Sequence, residues 1–374
     1  MNSLKMKVLM SVAVILALAP IGCGGTGGTS TAPISVACPG MNLVEILSDI
    51  TTNTTWRTNT VYVIRAWDFY VTATLVIEPG VIIKFHPTEG PGMMLGGAGT
   101  IVAQGTTTSP IIFTSFRDDA SGCDNNGDGA ATAPARRDWG SVDTNGLNGS
   151  IFDNTRFYYG GSSAYTTSLM FSAGSIATVT NSVFAHNDGS DASGGYGALD
   201  GSGASAGTVI TDNVFYDNVR PLSVSTAYNI DDSNVFHNPD NAAQTNTYNG
   251  IFVESLNEIT SHITWEETEV AFVIDDNDFW INSGASLTLG NDVVLKFRPG
   301  SAMVLADGDA SIQNHGGTEV YFTSYKDDTH KGDTNADLGA TMPADNDWIG
   351  IYDDTPATPY PHYFLWANIL YDSY

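Results

Sequence analysis

NTRFYY from Asn154, NSVFAHN from Asn181, NVFYDN from Asn213 and NVFHN from Asn234 share one pattern: an Asn, a short step to Phe, and often a closing Asn. Phe157, Phe184, Phe215 and Phe236 are spaced by 27, 31 and 21 residues, and NILYDSY from Asn368 starts a similar pattern at the end of the chain. Short stretches of β-formers, Asn and Gly turns and a period in the twenties indicate a β-solenoid. No single turn can bury its own apolar face, so neighbouring turns stack and share one core. Aromatic and aliphatic side chains are expected to form ladders inside the coil. Asn side chains are expected to repeat one hydrogen bond at the corners. Periodicity at i, i+3, i+4 is weak beyond the N-terminus, so the fold class is all-β.

A longer repeat frames this one. VEILSDITTNTTW, from Val44 to Trp56, aligns without gaps with VESLNEITSHITW, from Val253 to Trp265, at an offset of 209 residues. TLVIEPGVIIKF matches SLTLGNDVVLKF, pairing Lys84 with Lys296 and Phe85 with Phe297. FTSFRDD from Phe113 matches FTSYKDD from Phe322, again 209 residues on. The chain therefore divides into copy one, 43–252, and copy two, 253–374, which stops near the point of the first N-x-x-F turn and looks incomplete. GSDASGGYGALDGSGASAG, from Gly189 to Gly207, has no strand pattern and is expected to leave the coil as a lateral loop. Lys84 and Lys296 are expected to lay their stems along a strand with the ammonium in water.

IEPGVIIKF, the FTSFRDD…NNGDG…DW block and the N-x-V-F-x-x-N turns resemble the right-handed parallel β-helix proteins of the pectin-lyase-like superfamily, and more closely its uncharacterised exported bacterial members. The resemblance runs from about Val44 to the end. It implies the fold, a right-handed parallel β-helix with an internal duplication. It does not imply one activity, because that superfamily holds polysaccharide lyases and hydrolases, adhesins and proteins without known activity.

Lys and Arg number 14 against 41 Asp and Glu, a formal net charge of −27. Such a surface repels phosphate backbones, which argues against nucleic acid and for divalent cations. MNSLKMK followed by VLMSVAVILALAPIG reads as an export signal over residues 1–22. Gly22-Cys23 resembles the bacterial lipobox with Cys23 as the lipidated residue, although Pro20 stands where that motif has Leu. Cleavage after Ala19 is the alternative. Residues 23–42, opening GGTGGTSTAP after Cys23, are read as a flexible tether. The protein is expected at the outer membrane or cell surface as a lipoprotein, or otherwise secreted, with membrane contact only through the lipid. Cys38 and Cys123 remain to pair or not, and their spacing does not decide it.

The chemistry-bearing stretches are DDASGCDNNGDGAATAPARRDW, Asp118–Trp139, and its twin DDTHKGDTNADLGATMPADNDW, Asp327–Trp348. Asp124, Asn126 and Asp128 with Gly129 form D-x-N-x-D-G, which can wrap one Ca²⁺. Ala135 stands where an EF-hand needs Glu, so the motif is a short calcium loop at most, completed by Asp118, Asp119 or Asp138. The twin offers Asp333, Asn335 and Asp337 with Asp327, Asp328 and Asp347. It carries Leu338 where the first loop has Gly129, so a weaker site is expected there. The competing reading is that these residues only cap turns with their own side chains. Arg136, Arg137 and Arg220 are weak candidates for a catalytic base. Trp139 and Trp348 are expected to pin the loops to the core, and His186 and His237 to face solvent at turns. The leading function is a glycan- or surface-binding, adhesin-like scaffold with calcium-stiffened loops. A calcium-dependent polysaccharide lyase or glycan hydrolase is the alternative; oligomeric state is not indicated.

Overall fold

The computed structural model describes residues 35–374 except 67–68, 88–91, 163–166, 190–195, 254–257, 275–277, 308 and 356–360. The export signal, Cys23 and the first part of the tether lie outside the described residues. The described chain is all strand and turn, with no helix long and apolar enough to cross a membrane. It is a parallel β-helix. Strands of two to five residues pair with their equivalents one coil later, giving parallel sheets of seven, ten and six strands. The seven-stranded sheet runs from Asn42–Ile46 through Thr60–Ile64, Ile82–Phe85, Ile111–Ser115, Thr155–Tyr158 and Val183–Ala185 to Val214–Tyr216. Among the described strands, only the pairs His237–Asn238 with Asn241–Thr245 and Gly350–Asp353 with His362–Tyr363 are antiparallel.

The Phe repeat forms the ladder that stacking demands. Phe113, Phe157, Phe184, Phe215 and Phe236 succeed one another at centroid separations of 4.6, 4.9, 5.1 and 5.4 Å. Every one is fully buried. The spacing follows that between hydrogen-bonded strands, so in-register backbones place the rings at stacking distance. At the corners, Asn187 Nδ2 donates to Asn218 Oδ1 at 3.0 Å, and Asn218 Nδ2 to Asn246 Oδ1 at 2.9 Å. The closing Asn of the fourth repeat is thus Asn246 and not Asn238, because the hairpin 237–245 is inserted before the corner. A second corner ladder stacks Thr155, Ser182, Asn213 and Asn234. Asn154 and Asn181, which open their repeats, instead take the left-handed conformation just before it.

Two expectations are corrected. Leu199–Gly201, inside the expected lateral loop, is a strand of the ten-stranded sheet, because Leu199 continues the inward column of Leu169 and Leu222. Residues 35–42 of the expected tether are fastened: a Cys38–Cys123 disulfide joins them to the first acidic loop, and Val36 N donates to Asn125 O at 2.7 Å. At the last coil Phe364, Trp366 and Ile369 pack on the core, and Asn368 Nδ2 donates to Val320 O at 2.8 Å.

The twin copies follow one continuous core but occupy different faces. Thr60–Ile64, Ile82–Phe85 and Ile111–Ser115 belong to the seven-stranded sheet, whereas their counterparts Ala271–Ile274, Val294–Phe297 and Tyr321–Ser324 extend the ten-stranded one. Copy two is therefore advanced by one face around the coil.

Candidate metal centres

Each acidic loop leaves the coil after an FTS strand, crosses the outer face of its sheet, and returns at its Trp. Trp139 stacks on Phe85 at 4.3 Å and donates Nε1–H to Tyr158 O at 2.7 Å. Trp348 does the same with Phe297 at 4.1 Å and Leu370 O at 2.8 Å. Both rings are buried, as expected of anchors. Under the first loop Val61, Val63, Ile82 and Phe116 make a small outer core with Cys38, so the loop is a packed cover.

Lys84 and Lys296 overturn the expectation of a solvated head. Both are fully buried. Lys84 Nζ donates to Asp118 O at 2.6 Å and to Cys123 O at 2.8 Å. Lys296 Nζ donates to Gly332 O at 2.7 Å and to Thr334 Oγ1 at 2.8 Å. Burial pulls each ammonium down to about 8, against the opposing pull of the acidic residues above it. The lysine is the internal cation of the loop: it gathers the loop's carbonyls from beneath while the carboxylates gather on top.

The candidate ligands separate into two groups. Asp119, Asp124 and Asp128 bring carboxylate oxygens within 4.8 Å of one another, and Asp328, Asp333 and Asp337 do the same in the twin. Asp118 and Asp138 are occupied as braces. Asp118 accepts from Thr114 Oγ1 at 2.7 Å and from the amides of Ala120 and Ser121. Asp138 accepts from Ser115 Oγ at 2.6 Å and Arg117 Nη1 at 2.8 Å. Asp327 and Asp347 repeat these roles with Thr323, Thr329, Ser324 and Lys326. Asn126 and Asn335 turn their Oδ1 onto the amides of Asp128 and Asp337, each at 3.2 Å.

Turn capping accounts for part of each cluster. Asp124 accepts from Gly127, Asp128 and Gly129 N, and Asp333 accepts from Asp337 and Leu338 N. It does not account for Asp119 or Asp328. In both, Oδ1 is buried without a hydrogen-bond donor. Burial first, and then the neighbouring Asp124 or Asp333 carboxylate, push these two acids up. A buried acceptor with no donor, facing two other carboxylates, fits a cation.

The twin loops also share a backbone that their sequences do not equally favour. Gly122, Gly127 and Gly129 have φ of 87, 70 and 72°, and Lys331, Ala336 and Leu338 hold the same positions at 58, 57 and 57°. Side chains there cost about 1–2 kcal/mol each. Leu338 does not distort the second loop; its side chain points to solvent, 95% exposed, and its amide reaches Asp333 Oδ2 at 2.8 Å.

The three candidate arginines are each engaged by other groups. Arg136 Nη2 lies 2.5 Å from Asp217 Oδ1, Arg137 Nε lies 3.1 Å from Asp188 Oδ2, and Arg220 is buried with its guanidinium 3.8 Å over the Phe252 ring. His237 is held by Glu269 Oε1 at 2.7 Å. His186, half-buried like His237, has Nδ1 2.5 Å from Asp217 Oδ2. Sequence reasoning missed the lysines because K-F at a strand end reads the same whether a loop covers it or water does.

Comparison with known proteins finds no matching family model, no matching curated protein and no matching solved structure. The class rests on the fold: an all-β parallel β-helix with two equivalent acidic loops laid on its outside.

Proposed function

We propose that this is an exported surface scaffold of the right-handed, pectin-lyase-like kind, anchored through a lipid on Cys23. In this reading its loops are stiffened by Ca²⁺ and its long side faces engage surface glycans. Asp119, Asp124 and Asp128 would hold one ion, and Asp328, Asp333 and Asp337 a second. The ion would neutralise the carboxylates and fix the loop. The supporting observation is the buried, donor-less Oδ1 of Asp119 and its repeat at Asp328, 209 residues on. The scaffold reading stands ahead of the lyase because Arg136 and Arg137 are both engaged by carboxylates.

The test is calorimetric titration with CaCl₂ and thermal melting before and after chelator. At a hundredfold excess over Kd each ion adds about 2.7 kcal/mol, and Asp119→Asn with Asp328→Asn should remove the response. A melting temperature indifferent to calcium and chelator would sink the metal part. Incubation with uronate polysaccharides tests the rest: binding without turnover is expected, and unsaturated products would replace the scaffold by a lyase.

A further inference from the structure

The three faces of the coil are covered to different degrees. The first acidic loop lies over the start of the seven-stranded sheet, and on the outer side of the ten-stranded one Asp200, Ser223 and Phe252 are buried. The six-stranded sheet is formed by Thr54–Trp56, Thr74–Ile77, Thr100–Gln104, Ser150–Asp153, Ala177–Thr180 and Val209–Thr211. Register sets Thr55, Val76, Val102, Ile151, Thr178 and Val209 in one column, one residue from each coil. Each is half-buried or exposed, while Trp56, Ile77, Ala103, Phe152, Val179 and Ile210 beside them point into the core.

All six outward residues are β-branched and none is charged. A strand favours Thr or Val at any one of these positions, but that preference does not strip charge from six successive coils of a chain whose net charge is −27. Val76 and Val209 stand out at 37 and 38% exposed. Charge returns one column on, at the corner, where Asp153 accepts from the Asn154 and Asn181 side chains.

The face is also regular. Phe113, Phe157, Phe184 and Phe215, stacked through these same coils, lie within 3, 2 and 13° of parallel, so one coil turns little on the next. β-Branched side chains hold few rotamers, which fixes their methyls and hydroxyls in place. The array repeats at about 4.8 Å between strands and about 6.7 Å between alternate residues of one strand. Thr74 with Val76, Thr100 with Val102, and Thr178 with Thr180 fill both directions of it.

Size and chemistry narrow the occupant. Six strands by two columns make a patch of roughly 25 by 12 Å, about 300 Å². A stable contact with a second copy or another protein needs about 800 Å² from each side. A sugar chain would find no aromatic ring in the column to stack on. What fits is an uncharged, flat partner with a lattice repeat of its own.

We propose that the outer side of the six-stranded sheet binds the surface of ice. Its two repeats lie close to those of the water oxygens on a prism face. The methyls order the first shell of water, and a rigid array of them orders it as a layer; the Thr hydroxyls hydrogen-bond within that layer. A charged side chain would hold water in its own orientation and break the match, which accounts for the uncharged column. This binding needs neither a glycan nor calcium.

The test uses the full mature protein in low-salt buffer with EDTA. A single ice crystal is cooled in it, and the gap between melting and freezing points is measured together with crystal shape. A gap and faceted crystals are expected. Val102→Lys and Thr178→Lys should lose both, and Val183→Lys, on the outer side of the seven-stranded sheet, should keep them; melting temperatures establish that the variants are folded. Round crystals with no gap from the parent protein, or a gap untouched in folded Val102→Lys and Thr178→Lys, overturn the proposal. Pull-down on crystalline cellulose and chitin, and sedimentation, cover the other occupants: retention on the polysaccharide, or a dimer, that Thr178→Lys abolishes while ice is ignored assigns the face elsewhere and overturns it.

Discussion

Glu267→Gln tests how the joint between the two copies is built. Glu267 follows the strand His262–Trp265 and is fully buried. Its Oε1 accepts from Glu269 N at 2.7 Å, and Oε2 has no partner. Burial first, and then the Asp232 and Glu269 carboxylates, push the group up to about 8 from 4.5. At 1.36 kcal/mol per pH unit, that shift is worth about 5 kcal/mol. The sign follows from proton counts. Between pH 4.5 and 8 the folded state holds a proton that the unfolded state has released, so stability falls as pH rises. Below 4.5 both states are protonated and nothing is lost; above 8 the whole cost is present. Gln keeps the acceptor for Glu269 N and never ionises, but like the neutral acid it buries a donor. Urea unfolding at pH 4, 6.5 and 9 should therefore show the variant equal to the parent at pH 4 and more stable by about 3–5 kcal/mol at pH 9. Titrations elsewhere cancel in the difference. A difference that stays flat with pH would refute a buried, strained carboxyl at this joint.

Reduction of Cys38–Cys123, or Cys123→Ser, removes a cross-link closing 85 residues and should cost up to about 4–5 kcal/mol in urea unfolding. The same change should weaken calcium binding at the first loop and not the second, because Gly332 stands in the place of Cys123; calorimetric titration of the reduced protein separates the two sites. Phe184→Ala cuts the aromatic ladder between Phe157 and Phe215 and should cost about 3–5 kcal/mol, read as a shift in urea midpoint. Tyr158→Ala, on the outer face of the neighbouring strand, should cost far less.

The Phe spacing and the 209-residue offset were enough to read a stacked coil, because each coil must bury the same face and so repeats the same residue types. Trp139 and Trp348 were legible for the same reason, a large apolar residue at the end of a polar loop. The roles of Asp118 and Asp138 were not. A carboxylate that braces a turn and one that faces a cation have the same neighbours in sequence, and only the direction of Ser115 and Thr114 separates them.

The shift of copy two by one face explains why a duplicated chain need not have duplicated function. In copy one the acidic loop covers the start of the seven-stranded sheet, and that sheet continues past it through Thr155–Tyr158, Val183–Ala185 and Val214–Tyr216. In copy two the equivalent strands join the ten-stranded sheet, and the loop meets outer residues contributed by the first copy's last coil: Phe252 and Tyr248 pack with Val273 and Tyr325. The first loop therefore reaches along the seven-stranded sheet through Arg136, which pairs with Asp217, whereas the second loop closes a seam. The same acidic module can thus pack over the start of a sheet in one copy and seal the join in the other. What assigns the roles is the hairpin 237–245 and the coil around it, which end the seven-stranded sheet and hand its successor strands to the next face.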